Sequence, residues 1–212
     1  MSIVLNASEL TLNDLHDSRS GRHCQRFAIT RITESAFFSE WCTDLLPLSE
    51  VEQIMLDRVQ QNFLDQLAAR SIIEETVKMV IVSPLLDLAG FYRSPYGIES
   101  EVPIQVIIPS EDGILQGRID TLIVQHKLWI LAVESKRTQL SIHVALPQAI
   151  AYLLATPIEQ QIVFGLVTNG SEFIFIKFDR TSGLHYDLSN VFSLLNRGND
   201  LYTVAQILKR VG

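Results

Sequence analysis

Two segments carry charge inside apolar, strand-like sequence. Leu128-Trp129-Ile130-Leu131-Ala132-Val133 runs directly into Glu134-Ser135-Lys136, and Asp120 interrupts the apolar run from Ile119 to Val124. Residues two apart on a strand share a face, so Glu134 and Lys136 point the same way. A tight hairpin centred on Lys127 sets position 120 opposite position 134, and side chains paired like that have Cβ atoms about 4.5–5.5 Å apart. Carboxylates that close repel each other unless a proton or cation intervenes. Their hard oxygens suit Mg²⁺ or Mn²⁺ better than zinc, and Lys136 could orient a water or stabilise developing negative charge. This is the chemistry of phosphodiester hydrolysis, in which a metal generates hydroxide and neutralises the oxygens around phosphorus. The plain alternative is a solvated strand end with ordinary salt bridges. Asp120 upstream, the aligning hairpin and the helix that follows favour a site. Repulsion between the carboxylates also predicts that Asp120→Asn leaves the metal-free chain at least as stable.

These residues need a framework, and the periodicity supplies one. Ser49 and Glu52 have capping-box spacing, and Val51, Ile54, Met55, Val59, Phe63 and Leu67 follow at helical intervals. Ser71 with Glu74 repeats the cap and predicts a second helix to about Val82, ended by Pro84 and Gly90. Three strands follow, over 101–108, 114–124 and 128–136, with turns at Asp112-Gly113 and Gln125-His126-Lys127. A helix is expected near 143–156, a hairpin over 161–168 and 172–178 around Asn169-Gly170, and an amphipathic helix at the end of the chain. "RFAITRITESAFFSEW" suggests a strand and then a short helix. The order of α, β-meander, α, β-hairpin and α predicts an α/β (α+β) fold with a central mixed sheet flanked by helices.

Asp120, Glu134-Ser135-Lys136 and their apolar flanks resemble the D…E-x-K core of the PD-(D/E)xK nuclease superfamily. Gln148-x-x-x-Tyr152 lies on the helix after that core, with both residues on one face. That motif resembles the N-terminal nuclease domain of type I restriction endonuclease R subunits, as does "EETVKMVIVSPLLDLAGFY" as a first core helix. The likeness spans about 71–178 of a nuclease-like domain over 49–212. Residues 1–48 form an extension that it does not assign. Ile119 stands where the superfamily motif has Pro, a position that varies. There is no G-x-x-x-x-G-K-[ST] loop in the sequence, so a freestanding nuclease-like unit without a helicase motor is expected. The resemblance implies a restriction-endonuclease-like core that cleaves DNA. Asp120, Glu134 and the Ser135 carbonyl would hold Mg²⁺ or Mn²⁺, and Lys136 would position the attacking water. Glu75, ahead of Glu74, would be the acidic residue of the first helix. Gln148 and Tyr152 would contact nucleic acid or orient the core, and Arg118 and Arg137, with Lys127, would meet phosphates. Partners would be DNA and a homodimer or larger restriction-type assembly. A catalytically silent nucleic-acid-binding or interaction module on the same fold is the competing expectation.

Composition bounds the rest. Hydrophobic residues make up 47% and charged residues 19% of 212, a globular balance and not a disordered one. Two cysteines, Cys24 and Cys42, are too few for a disulfide scaffold and fit a cytoplasmic setting. No apolar run reaches the roughly 20 residues that span a bilayer, and the N-terminus lacks a signal-peptide pattern. The net charge of −7 argues against a simple electrostatic nucleic-acid binder. It is unevenly spread: residues 1–112 hold 17 acids against 8 bases, whereas 113–152 hold 4 bases against 2 acids. The histidines, at 16, 23, 126, 143 and 185, show no metal-ligand spacing, and His126 is expected in a turn. Cys42 after Trp41 is expected to be a buried apolar thiol.

Overall fold

The computed structural model describes residues 3–15, 27, 29–108, 113–126 and 128–212. His16, His23, Cys24, Asp112 and Lys127 lie outside these. Among the described residues the chain forms a mixed nine-stranded sheet with helices on both faces. The meander is β3 (Tyr96–Ile108), β4 (Gly113–Gln125) and β5 (Leu128–Ser135), all antiparallel. β5 then pairs in parallel with β6 (Ile162–Thr168), which is antiparallel to β7 (Glu172–Asp179). β8 (His185–Leu188) and the two-residue β9 (Phe192–Ser193) both pair with β7. The Asn169-Gly170 turn forms as expected. The Asn169 side chain accepts from the Ser171 and Glu172 amides, and Gly170 takes φ +86 where a Cβ would meet Phe63 at 2.7 Å.

The N-terminal segment is part of the sheet. β1 (Ile3–Asn6) runs parallel to the start of β4, and β2 (Thr30–Arg31) runs parallel to β8. Between them lies α1 (Leu12–Leu15). The short helix expected after the strand in this segment does not form. Residues 35–44 make turns instead, and they leave Cys42 exposed, with its thiol donating to the Ser39 carbonyl. The expectation of a buried Cys42 is therefore corrected.

α2 (Glu50–Ala69) starts on the predicted capping box, with the Ser49 and Glu52 side chains each bonded to the other's backbone amide. The next helix departs from expectation at both ends. Ser71 does not cap it; it begins after Ile73 as α3 (Glu74–Val77), with no side-chain cap. Pro84 does not end it. A π-helical segment, Lys78–Val82, comes first, and the Ser83 amide reaches back five residues to the Lys78 carbonyl. The wider turn lets the helix run through the proline as α4 (Ser83–Leu88). α5 (Leu146–Leu153) and α6 (Leu201–Val211) complete the set. One sheet face buries α5 and the N-terminal segment through Leu115, Ile119, Leu122, Ile174 and Ile176. The other buries α2, α3, α4 and α6 against Ile123, Leu131, Val133, Phe173 and Phe175.

Candidate active site at the fork of the sheet

β4 pairs with β3 on one edge from Gly113 to Gln125, interrupted only at Asp120. On the other edge it meets β1 at 113–116 and β5 at 121–125, which leaves 117–120 without a strand partner there. Backbone groups in such a gap need other partners. The Arg118 amide donates to the Tyr152 hydroxyl at 3.2 Å, and Gln148 Nε2 donates to the same oxygen at 2.6 Å. With both its lone pairs accepting, that hydroxyl has its own proton left to give. The approach needs Gly117: a Cβ there would lie 2.4–2.9 Å from the Tyr152 ring and hydroxyl. Gln148 and Tyr152, one helical turn apart on α5, therefore both face the gap.

Asp120 closes the fork. Its Oδ2 accepts from the Ser135 amide at 2.7 Å and the Ser135 hydroxyl at 2.8 Å, a side chain substituting for a ladder bond as β5 leaves β4 to follow β6. The pairs 121–133, 122–132 and 123–131 set 120 against 134, but not by the simple hairpin first expected. The turn pairs Gln125 with Leu128, one residue out of step, and an irregularity between Ile123 and Val124 restores the alignment. His126 lies in that turn with φ +50.

A pocket of about 620 Å³ opens on the fork, lined by Asp120, Glu134, Lys136, Arg118, Gln148, Tyr152, Glu101 and Glu9 among others. Glu134 is 3% exposed. Its Oε1 accepts from Lys136 Nζ at 2.5 Å, and its Oε2 is buried with no partner. Burial, and then the charge of Asp120, push its carboxyl up to about 8, against the opposing pull of Lys136. Burial works against the charge on Lys136, yet Glu134 holds its ammonium above the usual lysine range. The Tyr152 hydroxyl is also raised, by burial and then by Glu134.

The first helix contributes differently from expectation. Glu74, not Glu75, joins the ion pairs, through Lys78 at 3.2 Å. Glu75 lines two adjoining grooves, one shared with Asp120 and Lys78 and one with Lys136 and Arg137. Lys78, which the sequence reading did not single out, reaches Asp120 Oδ1 at 3.0 Å and Glu101 at 3.3 Å. Partial burial opposes its charge, but Asp120 and then Glu74 hold its ammonium above the ordinary lysine range. Glu101 is a further missed residue. It faces Asp120 at the one break in the β3–β4 pairing, with φ +54, a conformation rare outside glycine. Local strain of this kind concentrates at functional sites. Arg118 is largely exposed and pairs with Glu101 at 3.6 Å. Arg137 is exposed on the far side of Lys136.

Among the described residues no group of three or more His, Cys, Asp or Glu side chains is arranged to hold a metal ion. The fork offers two carboxylates, Asp120 and Glu134. A unit with few protein ligands suits a cation that keeps waters and binds substrate phosphate, as Mg²⁺ does. The unpartnered Glu134 Oε2 is the feature that fits such an ion, since a buried carboxylate oxygen left bare is costly.

No protein-family model and no curated protein matches the chain. Among solved structures it is similar to the fragment structure of a putative HsdR subunit of a type I restriction enzyme from Vibrio vulnificus YJ016. The identity is 24% and the TM-score 0.40, over 58% of this chain and 24% of that one. The chain thus spans less than a quarter of that structure. Among the described residues no helix is long and apolar enough to cross a membrane.

Proposed function

We propose that the chain is a metal-dependent nuclease that hydrolyses DNA phosphodiester bonds, of the PD-(D/E)xK kind and related to the nuclease domains of type I restriction R subunits. The observation that carries this reading is Glu134: buried, one oxygen unpartnered, lining one pocket with Asp120 and Lys136. Asp120, Glu134 and the Ser135 carbonyl would hold Mg²⁺ or Mn²⁺. When bound, that ion supplies charge neutralisation at phosphorus and lowers the pKa of a water. The chain's own groups do the rest. Ser135 fixes Asp120 by two hydrogen bonds, so that carboxylate needs little reorganisation. The Lys136 ammonium, held by Glu134 at the pocket wall, places a donor where a water or a phosphoryl oxygen enters. Gln148 donates to the Tyr152 hydroxyl, which leaves that hydroxyl's own proton for an acceptor entering the pocket. Arg118 in the pocket and Arg137 in the adjoining groove would meet flanking phosphates.

The test is incubation with supercoiled plasmid and Mg²⁺ or Mn²⁺, with Lys136→Ala alongside. Metal-dependent nicking that the variant loses supports the proposal; equal nicking by both, or none by either, counts against it. One observation favours a silent binding module instead: both carboxylates already have lysine partners, Lys78 on Asp120 and Lys136 on Glu134. That reading expects oligonucleotide binding without cleavage at any metal concentration.

A further inference from the structure

The position of Lys78 is the least expected feature of the fork. Asp120 has one oxygen committed to the sheet: Oδ2, with two bonds from Ser135. Only Oδ1 faces anything that can be exchanged, and Lys78 Nζ sits 3.0 Å from it. An ammonium has three protons to donate, and the same nitrogen lies 3.2 Å from Glu74 and 3.3 Å from Glu101. Lys78 thus pairs with three carboxylates at once, at the place where a metal ion would be drawn. Its two outer partners are more open than Asp120, with Glu74 33% and Glu101 53% exposed against 10% for Asp120. An ammonium pushed off Asp120 therefore keeps two acceptors at the rim.

We propose that Lys78 is a tethered cation that occupies the exchangeable oxygen of Asp120, and that a divalent cation binds this chain only by displacing it. This rests on the reading that Asp120 and Glu134 bind such an ion. In the exchange the ammonium stays with Glu74 and Glu101, and the incoming ion meets Asp120 Oδ1 and the unpartnered Glu134 Oε2. Lys78 is a positioning residue here, not a catalytic one. It sets how much metal the site needs before it is competent.

The experiment is Mn²⁺ binding to the full chain by titration calorimetry, without nucleic acid, for wild type, Lys78→Met and Lys78→Gln. The expected result is Mn²⁺ affinity at least about tenfold higher in both variants, because an ammonium beside a carboxylate competes directly with a second cation for it. Asp120→Asn in either background should abolish binding. Glutamine removes the charge but keeps a polar side chain, so a folded Lys78→Gln chain preserves the test if methionine disturbs the helix. Affinity that is unchanged or lower in folded Lys78 variants, with Asp120→Asn still abolishing it, overturns the exchange and leaves the metal site standing. No Mn²⁺ binding by wild type or by either Lys78 variant overturns the metal-site reading, and the exchange falls with it.

Discussion

Two Glu–Lys pairs in this chain have the same partners and opposite characters. Glu52 sits in the first turn of α2, where its Oε2 accepts from the Ser49 amide and hydroxyl and its Oε1 takes Lys209 of α6. Those bonds, Lys209 first, pull its carboxyl down to about 2. Glu134 receives a single donor, Lys136, and burial drives its carboxyl up to about 8. The first pair ties two helices together and is satisfied. The second holds a charge that the surrounding protein does not want and leaves one oxygen bare. A Glu–Lys pair alone therefore says little; what separates a brace from a reactive group is how many donors remain once water is excluded.

The contrast can be broken or sharpened by experiment. The largest effect is expected for Lys136→Ala, which should lower metal-dependent plasmid nicking by about 10²-fold or more, the usual scale for losing a preorganised donor. Residual nicking near wild type would make the second pair another brace. Next comes Asp120→Asn. Repulsion between the carboxylates led to the expectation that this change is neutral or stabilising, but Asp120 is held by Ser135 and Lys78. The loss is now expected to be about 1–3 kcal/mol in denaturant melts, the cost of unmaking buried charge-assisted bonds. A variant as stable as wild type would restore the repulsion picture.

Gly117→Ala should cost roughly 1–3 kcal/mol by overpacking against Tyr152. Most of that cost should vanish in a Tyr152→Ala background, and simple additivity would show that the tyrosine does not occupy the gap. The two glutamates should also give opposite pH responses. Glu134 binds its proton more tightly when folded, so its contribution is present below about 4.5 and is lost as pH rises toward about 8. Glu52 binds its proton less tightly when folded, so its contribution is present above about 4.5 and is lost as pH falls toward about 2. Melts across pH should show the fall between about 4.5 and 8 flattened by Glu134→Gln and the acid fall flattened by Glu52→Gln. The smallest effect is expected for Lys209→Ala, up to about 1 kcal/mol because the pair is part-solvated. A larger loss would mean that α6 depends on Glu52 for docking.

Local signals made much of this fold legible. The Ser49–Glu52 box, the strand periods of β4 to β7 and the Asn169-Gly170 turn all depend on near neighbours, and they placed the elements within a few residues. β1 was missed because four residues carry no period, and only the distant start of β4 gives them a partner. Pro84 misled because a stop signal assumes α-helical spacing, and the π segment removes the clash. Asp120 and Glu134 could be aligned from the hairpin count, although the turn and the irregularity after Ile123 reach that alignment by two compensating shifts. Lys78 and Glu101 had no signal in the sequence: their roles arise where a helix and an unpaired strand position converge on Asp120.

The π segment has a consequence for inheritance. A π turn is what a helix forms when one added residue is absorbed locally and both flanks keep their faces. Here the upstream flank presents Glu74 and Lys78 to the fork, and the downstream flank buries Leu85 and Leu86. A gene coding for this helix can therefore lose one codon between those flanks and keep both sets of contacts. Relatives one residue shorter between Lys78 and Val82 are expected to have a regular α-helix there, with the acidic residue and the lysine still facing the fork.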